Sequence, residues 1–196
     1  MRYRRGHIAP GSLVALKMPD RDRLHPLLAG RFSPRAFHPS EIDDATVDLL
    51  LEAARWAPSA GNSQPWGFFP VRPHETEYDR VVRHLAPSSA TWALDASLLI
   101  VTLARRFLDD GVLPYSEFAD YDLGQAVAHL TIQAQALDLA THQFRAFDLE
   151  SLTKELDPNP GWTIMSIIAV GPPADPCPAT TRNPLPHLRT APWTAR

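Results

Sequence analysis

Two short segments hold the residues of this chain best suited to binding chemistry. The first is RFSPRAF, residues 31–37, with Arg31, Ser33 and Arg35 at alternate positions and Phe32 between the first two. Alternate side chains of an extended backbone point to one side. Two guanidinium forks and a hydroxyl converging there suit a phosphate monoester, and a solvated basic loop is the competing reading. The second is PSAGNSQPW, residues 58–66. Ser59, Asn62, Ser63 and Gln64 offer groups that donate and accept, and Gly61 admits a tight backbone. Such groups can read the polar edge of a flat heteroaromatic ring. The alternative is a polar turn with Trp66 as a core anchor.

Other chemistry lacks its pattern. No two of the eight histidines lie four residues apart and there is no HExxH, so no metal is expected. No GxSxG elbow, GxGxxG fingerprint or phosphate loop occurs. Cys177, the single cysteine, sits between Pro176 and Pro178 and reads as an incidental thiol. No side chain stands out as nucleophile or general base. A net charge of −3 supplies no basic field for nucleic acid. The longest apolar run, residues 96–104, is too short for a membrane span, and 44% hydrophobic residues suit one folded domain. A cytoplasmic protein is the expectation.

These segments need elements to hold them. A short helical pattern starts at Asp20 and stops at Gly30. Asp43 or Asp44 can cap a helix whose Val47, Leu50, Leu51 and Ala54 share one face, and Pro58 ends it. Residues 67–72 read as a strand with Pro70 marking an edge, and residues 75–85 as an amphipathic helix. Residues 96–103 read as a buried strand. The longest helix is expected over Tyr121 to Ala140, rich in small residues and so placed for close packing. Asp148 caps LESLTKEL, and WTIMSIIAV is a strand closed by Gly171. Helices with three well-separated strands imply α+β. Residues 1–19 read as an N-terminal arm, 20–171 as the folded domain and 172–196, with seven prolines, as an extended C-terminal arm.

In order and spacing, RFSPRAF, AARWAPSAGNSQPW, WALDASLLIVTL, YDLGQAVAHLTIQAQALDLA, FDLESLTKEL, WTIMSIIAVGPP and TRNPLP resemble the FMN-dependent nitroreductase family over about residues 24–186. The resemblance implies an α+β sandwich around a mainly antiparallel sheet flanked by helices, in an intertwined homodimer with FMN at the interface. Arg31, Phe32, Ser33 and Arg35 fall in the segment that holds FMN, and Arg182 matches a basic residue of the tail. Pro58, Ser59, Ala60 and Asn62 match the loop that reaches the flavin from the other subunit. Arg145 and Ala146 lie where the family's backbone meets flavin N5.

The chain also departs from the family. Ser89 and Trp92 stand where an Asn and a Lys often touch the ring, and Phe144, Arg145 and Ala146 occupy the region of a usual Glu-Gly pair. Trp92 can cover a ring but cannot neutralise its N1–O2 edge. Arg145 is either a substitute cation or a solvent-facing side chain. The implied activity is hydride transfer from NADH or NADPH through FMN to a small, flat acceptor of nitroaromatic or quinone type, the chemistry being the flavin's. Some members of the family instead oxidise a bound substrate or cut up the flavin itself. A flavin-binding or storage protein without turnover, or a degenerate family member, is the alternative.

Overall fold

A computed structural model describes residues 23–109 and 111–178, with residues 182, 183 and 188. The expected arm at 1–19 and most of the tail beyond 178 lie outside the described residues. The sheet has four antiparallel strands, β1 (Trp66–Val71), β2 (Leu98–Arg105), β3 (Ala140–Phe144) and β4 (Trp162–Gly171), in the order β1-β2-β4-β3. The helices are α1 (Pro26–Gly30), α2 (Asp44–Arg55), α3 (Thr76–Val82), α4 (Pro87–Ala93), α5 (Ala119–Ala136) and α6 (Leu149–Leu156).

The middle strands explain the layering. Along β2, Leu98 and Ile100 face one side and Leu99 and Val101 the other, and all four are fully buried. A strand buried on both faces needs cover on both. Val47, Leu50 and Ala54 of α2 join Leu123, Ala126, Val127 and Leu130 of α5 in the core on the first face. Tyr78 and Val81 of α3, Trp92 of α4 and Leu152 of α6 join the core on the second. The result is a helix–sheet–helix sandwich with Pro70 on an edge strand, where its missing N–H leaves no gap in the middle of the ladder.

Three elements differ from the sequence reading. The long helix stops at Ala136, not Ala140, because Asp138 turns left-handed at φ 57° and redirects the chain. Ala140 instead opens β3, a fourth strand over residues 140–144 that the sequence reading did not assign. Residues 87–93 form a helix that apolar spacing does not reveal, although Pro87 in its first turn is a start signal. The expected caps hold: Asp43 accepts from Thr46 N–H at 2.8 Å and Asp148 from Ser151 N–H at 3.1 Å. The Ser151 N–H, together with the Ser151 hydroxyl, holds the Asp148 carboxyl below its ordinary range.

β4 carries a bulge. Thr102 pairs with Ser166 and Leu103 with Ile164, so Met165 faces no partner on β2. The Arg145 guanidinium donates to the Met165 carbonyl at 2.6 Å and to that of Ile164 at 3.3 Å.

The fully buried Leu130 helps α5 close the first face. Leu130→Ala is expected to lower unfolding free energy by about 2–5 kcal/mol. A denaturant midpoint unchanged from wild type would show that α5 does not seal that core.

Candidate functional site

The Arg31–Arg35 segment follows α1; it leaves the helix in extended backbone at Arg31 and bends at Arg35. Ser33 and Arg35 are exposed while Pro34 between them is buried. Arg31 donates to the Ser33 hydroxyl at 3.3 Å, so those two side chains share a side. Arg55, Arg72, Arg80, Arg83, Arg105 and Arg106 are each paired with a carboxylate, whereas no ion pair joins Arg31 or Arg35 to any described residue. Two uncompensated guanidiniums beside a hydroxyl fit the donor requirements of a phosphate dianion. Downstream, Ala36 accepts from Ala174 N–H and His38 N–H donates to the Pro172 carbonyl, so the C-terminal segment begins alongside. Arg182 is exposed.

The second segment is held by different contacts. Ala60–Asn62 forms a single 3-10 turn, and Gly61, Asn62 and Gln64 all have left-handed φ values, 58°, 56° and 48°. Such backbone costs an L-residue about 1–2 kcal/mol and needs outside support. Asp122 of α5, 2% exposed, accepts from Ala60 N–H at 3.0 Å. Gln125 donates to Asp122 at 3.3 Å and to the Pro58 carbonyl at 3.5 Å, and the Tyr115 hydroxyl donates to the Ser63 carbonyl at 2.8 Å. Ser59 Oγ accepts from Gln64 N–H, so it is spent on the turn itself. Trp66 packs against the core, as the anchor reading expects.

The third group follows β3. Ala146's carbonyl accepts from Ala86 N–H at 3.0 Å and from the Ser89 hydroxyl at 2.5 Å. Ser89 is thereby buried in a structural contact. Trp92, 8% exposed, packs edge-on to Phe144 at 5.0 Å and near His142 at 4.4 Å. With the Arg145 side chain taken by β4 carbonyls and both carbonyls of the segment already accepting, Arg145 and Ala146 have their backbone N–H groups to offer a ligand.

Within one chain the two polar segments are far apart. Arg31–Arg35 meets β3, at one edge of the sheet, through Pro34 and His142, while the Pro58–Asn62 turn leads into β1 at the other edge. Three interstrand spacings amount to about 14 Å. Trp66 aligns through Ala104 with Thr163, whereas His142 aligns with Ala169. That offset along the strand adds about 20 Å. No hydrogen bond or ion pair links the two segments among the described residues.

Sequence reasoning missed Asp122, Tyr115 and His142. Asp122 carried a readable signal, a carboxylate on the apolar stripe of a helix, which must find donors inside the fold. Tyr115 and His142 carried none, since their partners are carbonyls distant in sequence. Among the described residues no cluster of His, Cys, Asp or Glu could hold a metal ion, and no helix is long and apolar enough to cross a membrane. Asp122→Ala is expected to cost about 1–3 kcal/mol of stability by orphaning the Ala60 N–H, and Asp122→Asn much less, because an amide oxygen still accepts. Equal denaturant midpoints for the two variants would contradict the clamp.

The family model for "Nitroreductase family" matches residues 28–93. A Streptomyces coelicolor protein with the provisional name NADH dehydrogenase/NAD(P)H nitroreductase is 28% identical over 177 residues, spanning 81% of this chain and 87% of that one. A Rhodospirillum rubrum 5,6-dimethylbenzimidazole synthase is 27% identical, over 90% of this chain and 91% of its own. Among solved structures, an oxidoreductase containing FMN superposes with a TM-score of 0.80 at 27% identity, covering 88% of this chain and 93% of its own. A provisionally named nitroreductase from Desulfovibrio desulfuricans, in complex with FMN, gives 0.73 at 27% identity over 87% and 99%. The matched segment and the shared fold make the chain similar to proteins of the nitroreductase family.

Proposed function

We propose that this protein is an FMN-dependent oxidoreductase that takes a hydride from NADH or NADPH and passes two electrons to a small, flat organic acceptor. The observation that carries the reading is the uncompensated Arg31–Ser33–Arg35 set on a fold whose relatives contain FMN. FMN, when bound, supplies both the hydride acceptance and the electron delivery. The chain's own residues position and shield. Arg31, Arg35 and Ser33 hold the phosphate, and Arg182 is placed by resemblance to assist. The backbone of Arg145 and Ala146, steadied by Ser89, faces the ring edge. Pro58, Ser59, Ala60 and Asn62 close over the ring from a second copy of the chain. The separation of the two segments, at opposite edges of the sheet within one chain, supports this homodimeric arrangement.

A second reading rests on the Rhodospirillum rubrum relative, which the chain matches over nearly its full length. In that case the bound flavin is a substrate to be fragmented and not a recycled cofactor. Anaerobic titration with NADH and NADPH, followed by admission of air and chromatography of the released flavin, distinguishes the readings. The proposed activity predicts bleaching by a nicotinamide and full recovery of FMN. Loss of FMN with each aerobic cycle supports the second reading. A bound flavin that neither nicotinamide bleaches points to a binding protein, and FAD as the sole flavin contradicts the phosphate assignment.

Arg31→Ala or Arg35→Ala should weaken FMN binding about tenfold or more, with the fold intact, since each removes a charge-assisted hydrogen bond from a loop. Equilibrium binding to the apoprotein checks this. Wild-type affinity in either variant would show that the guanidinium serves elsewhere.

A further inference from the structure

His142 links the Arg31–Arg35 segment to the sheet. Its Nδ1 lies 2.7 Å from the Pro34 carbonyl oxygen. A carbonyl only accepts, so Nδ1 carries the proton and donates, whether the ring is neutral or charged. The ring is fixed on its other side by Trp92, at 4.4 Å between centroids. Trp92 is in turn set edge-on against Phe144 two residues along β3.

This bond has no substitute. Among the described residues it is the only hydrogen bond joining Arg31–Arg35 to the sheet. The next attachments come at Ala36 and His38, paired with the segment after β4. Pro34 is the inward residue of the segment, with Ser33 and Arg35 exposed on either side. Fixing the Pro34 carbonyl therefore fixes the direction in which both neighbours point. Proline restricts its own φ and biases Ser33 towards extended backbone, so one anchored carbonyl orients the row.

We propose that His142 is a positioning residue for anion binding: its Nδ1–H on the Pro34 carbonyl, with the ring braced by Trp92, holds Arg31, Ser33 and Arg35 in the register that receives a phosphate monoester. The inference rests on the FMN reading of that site. It concerns a residue that touches no phosphate, and it predicts an effect confined to the phosphate end of the ligand.

The test compares FMN with riboflavin, which has the same ring and ribityl chain but no phosphate, on apoprotein made from wild type and two variants. His142→Phe keeps a flat ring against Trp92 and removes the donor. His142→Asn keeps a donor near the Nδ1 position and removes the ring. His142→Phe should bind FMN about tenfold more weakly, the loss of one hydrogen bond that orders charged groups, with riboflavin affinity unchanged. His142→Asn should recover most of the FMN affinity. A general packing role would instead weaken both ligands together and would not be rescued by Asn. Either that pattern or wild-type FMN binding by His142→Phe overturns the proposal. Nitrogen-15 NMR of the wild-type imidazole decides the contact even where a variant fails to fold. The Nδ1–H tautomer supports it, and a neutral ring protonated at Nε2 alone refutes it. Wild-type protein that binds riboflavin and FMN equally defeats the phosphate reading itself, whatever the tautomer.

Discussion

The fold depends on burying β2 and β4 on both faces. The adjacent residues Leu98, Leu99, Ile100 and Val101 are each fully buried, so neither face of the sheet can meet water. Covering both faces with helices leaves polar binding groups only at the margins, where strands begin, end or run along an edge. The three candidate binding segments lie there: Arg31–Arg35 against β3, Arg145–Ala146 just after it, and Pro58–Asn62 just before β1. A strongly apolar sheet centre and peripheral, separated candidate segments are consequences of one constraint.

Each segment at the margin is irregular and is held by a few contacts from regular elements. Asp122 and Gln125 on α5 clamp the strained turn at Ala60–Gln64. Ser89 on α4 and Ala86 fix the Ala146 carbonyl. His142 on β3 fixes Pro34. In all three cases the anchoring group bonds to backbone, so the side chains of Arg31, Arg35 and Asn62 stay available to a ligand. Arg145 is the contrast. Its guanidinium completes the β4 bulge, a role that a binding cation could not fill at the same time.

The sequence made local features legible where the signal is local. Helix α2 with its Asp43 cap, the buried β2 and the edge placement of Pro70 follow from spacing and from proline's missing N–H. The row of Arg31 and Ser33 followed from alternation alone. What escaped depends on tertiary context. The helix reads as running on to Ala140 because Leu137 continues the apolar spacing, and only the left-handed turn at Asp138 marks its end; β3 after it carries no strand signal strong enough to assign. His142 looks like any half-buried histidine until the fold brings Pro34, 108 positions earlier in the chain, onto its Nδ1. Arg145 read as either a substitute cation or a solvent-facing side chain because the register shift at Met165, whose carbonyl takes its guanidinium, leaves no mark in the sequence.

The central claim is that a complete flavin site takes Arg31–Arg35 from one chain and Pro58–Asn62 from another. Subunit complementation tests it most directly. One variant carries Arg31→Ala with Arg35→Ala, and the other Ser59→Ala with Asn62→Gly, the last chosen because glycine tolerates the left-handed φ of 56°. Each homodimer has one lesion in every site and should be poor in flavin. Unfolding and refolding the two together forms mixed dimers in which one site carries both lesions and the other carries neither. The account predicts that flavin content and activity recover to about a quarter of wild type at equal mixing. No recovery, with mixed dimers demonstrably formed, would mean that each chain builds its own site and would contradict the account.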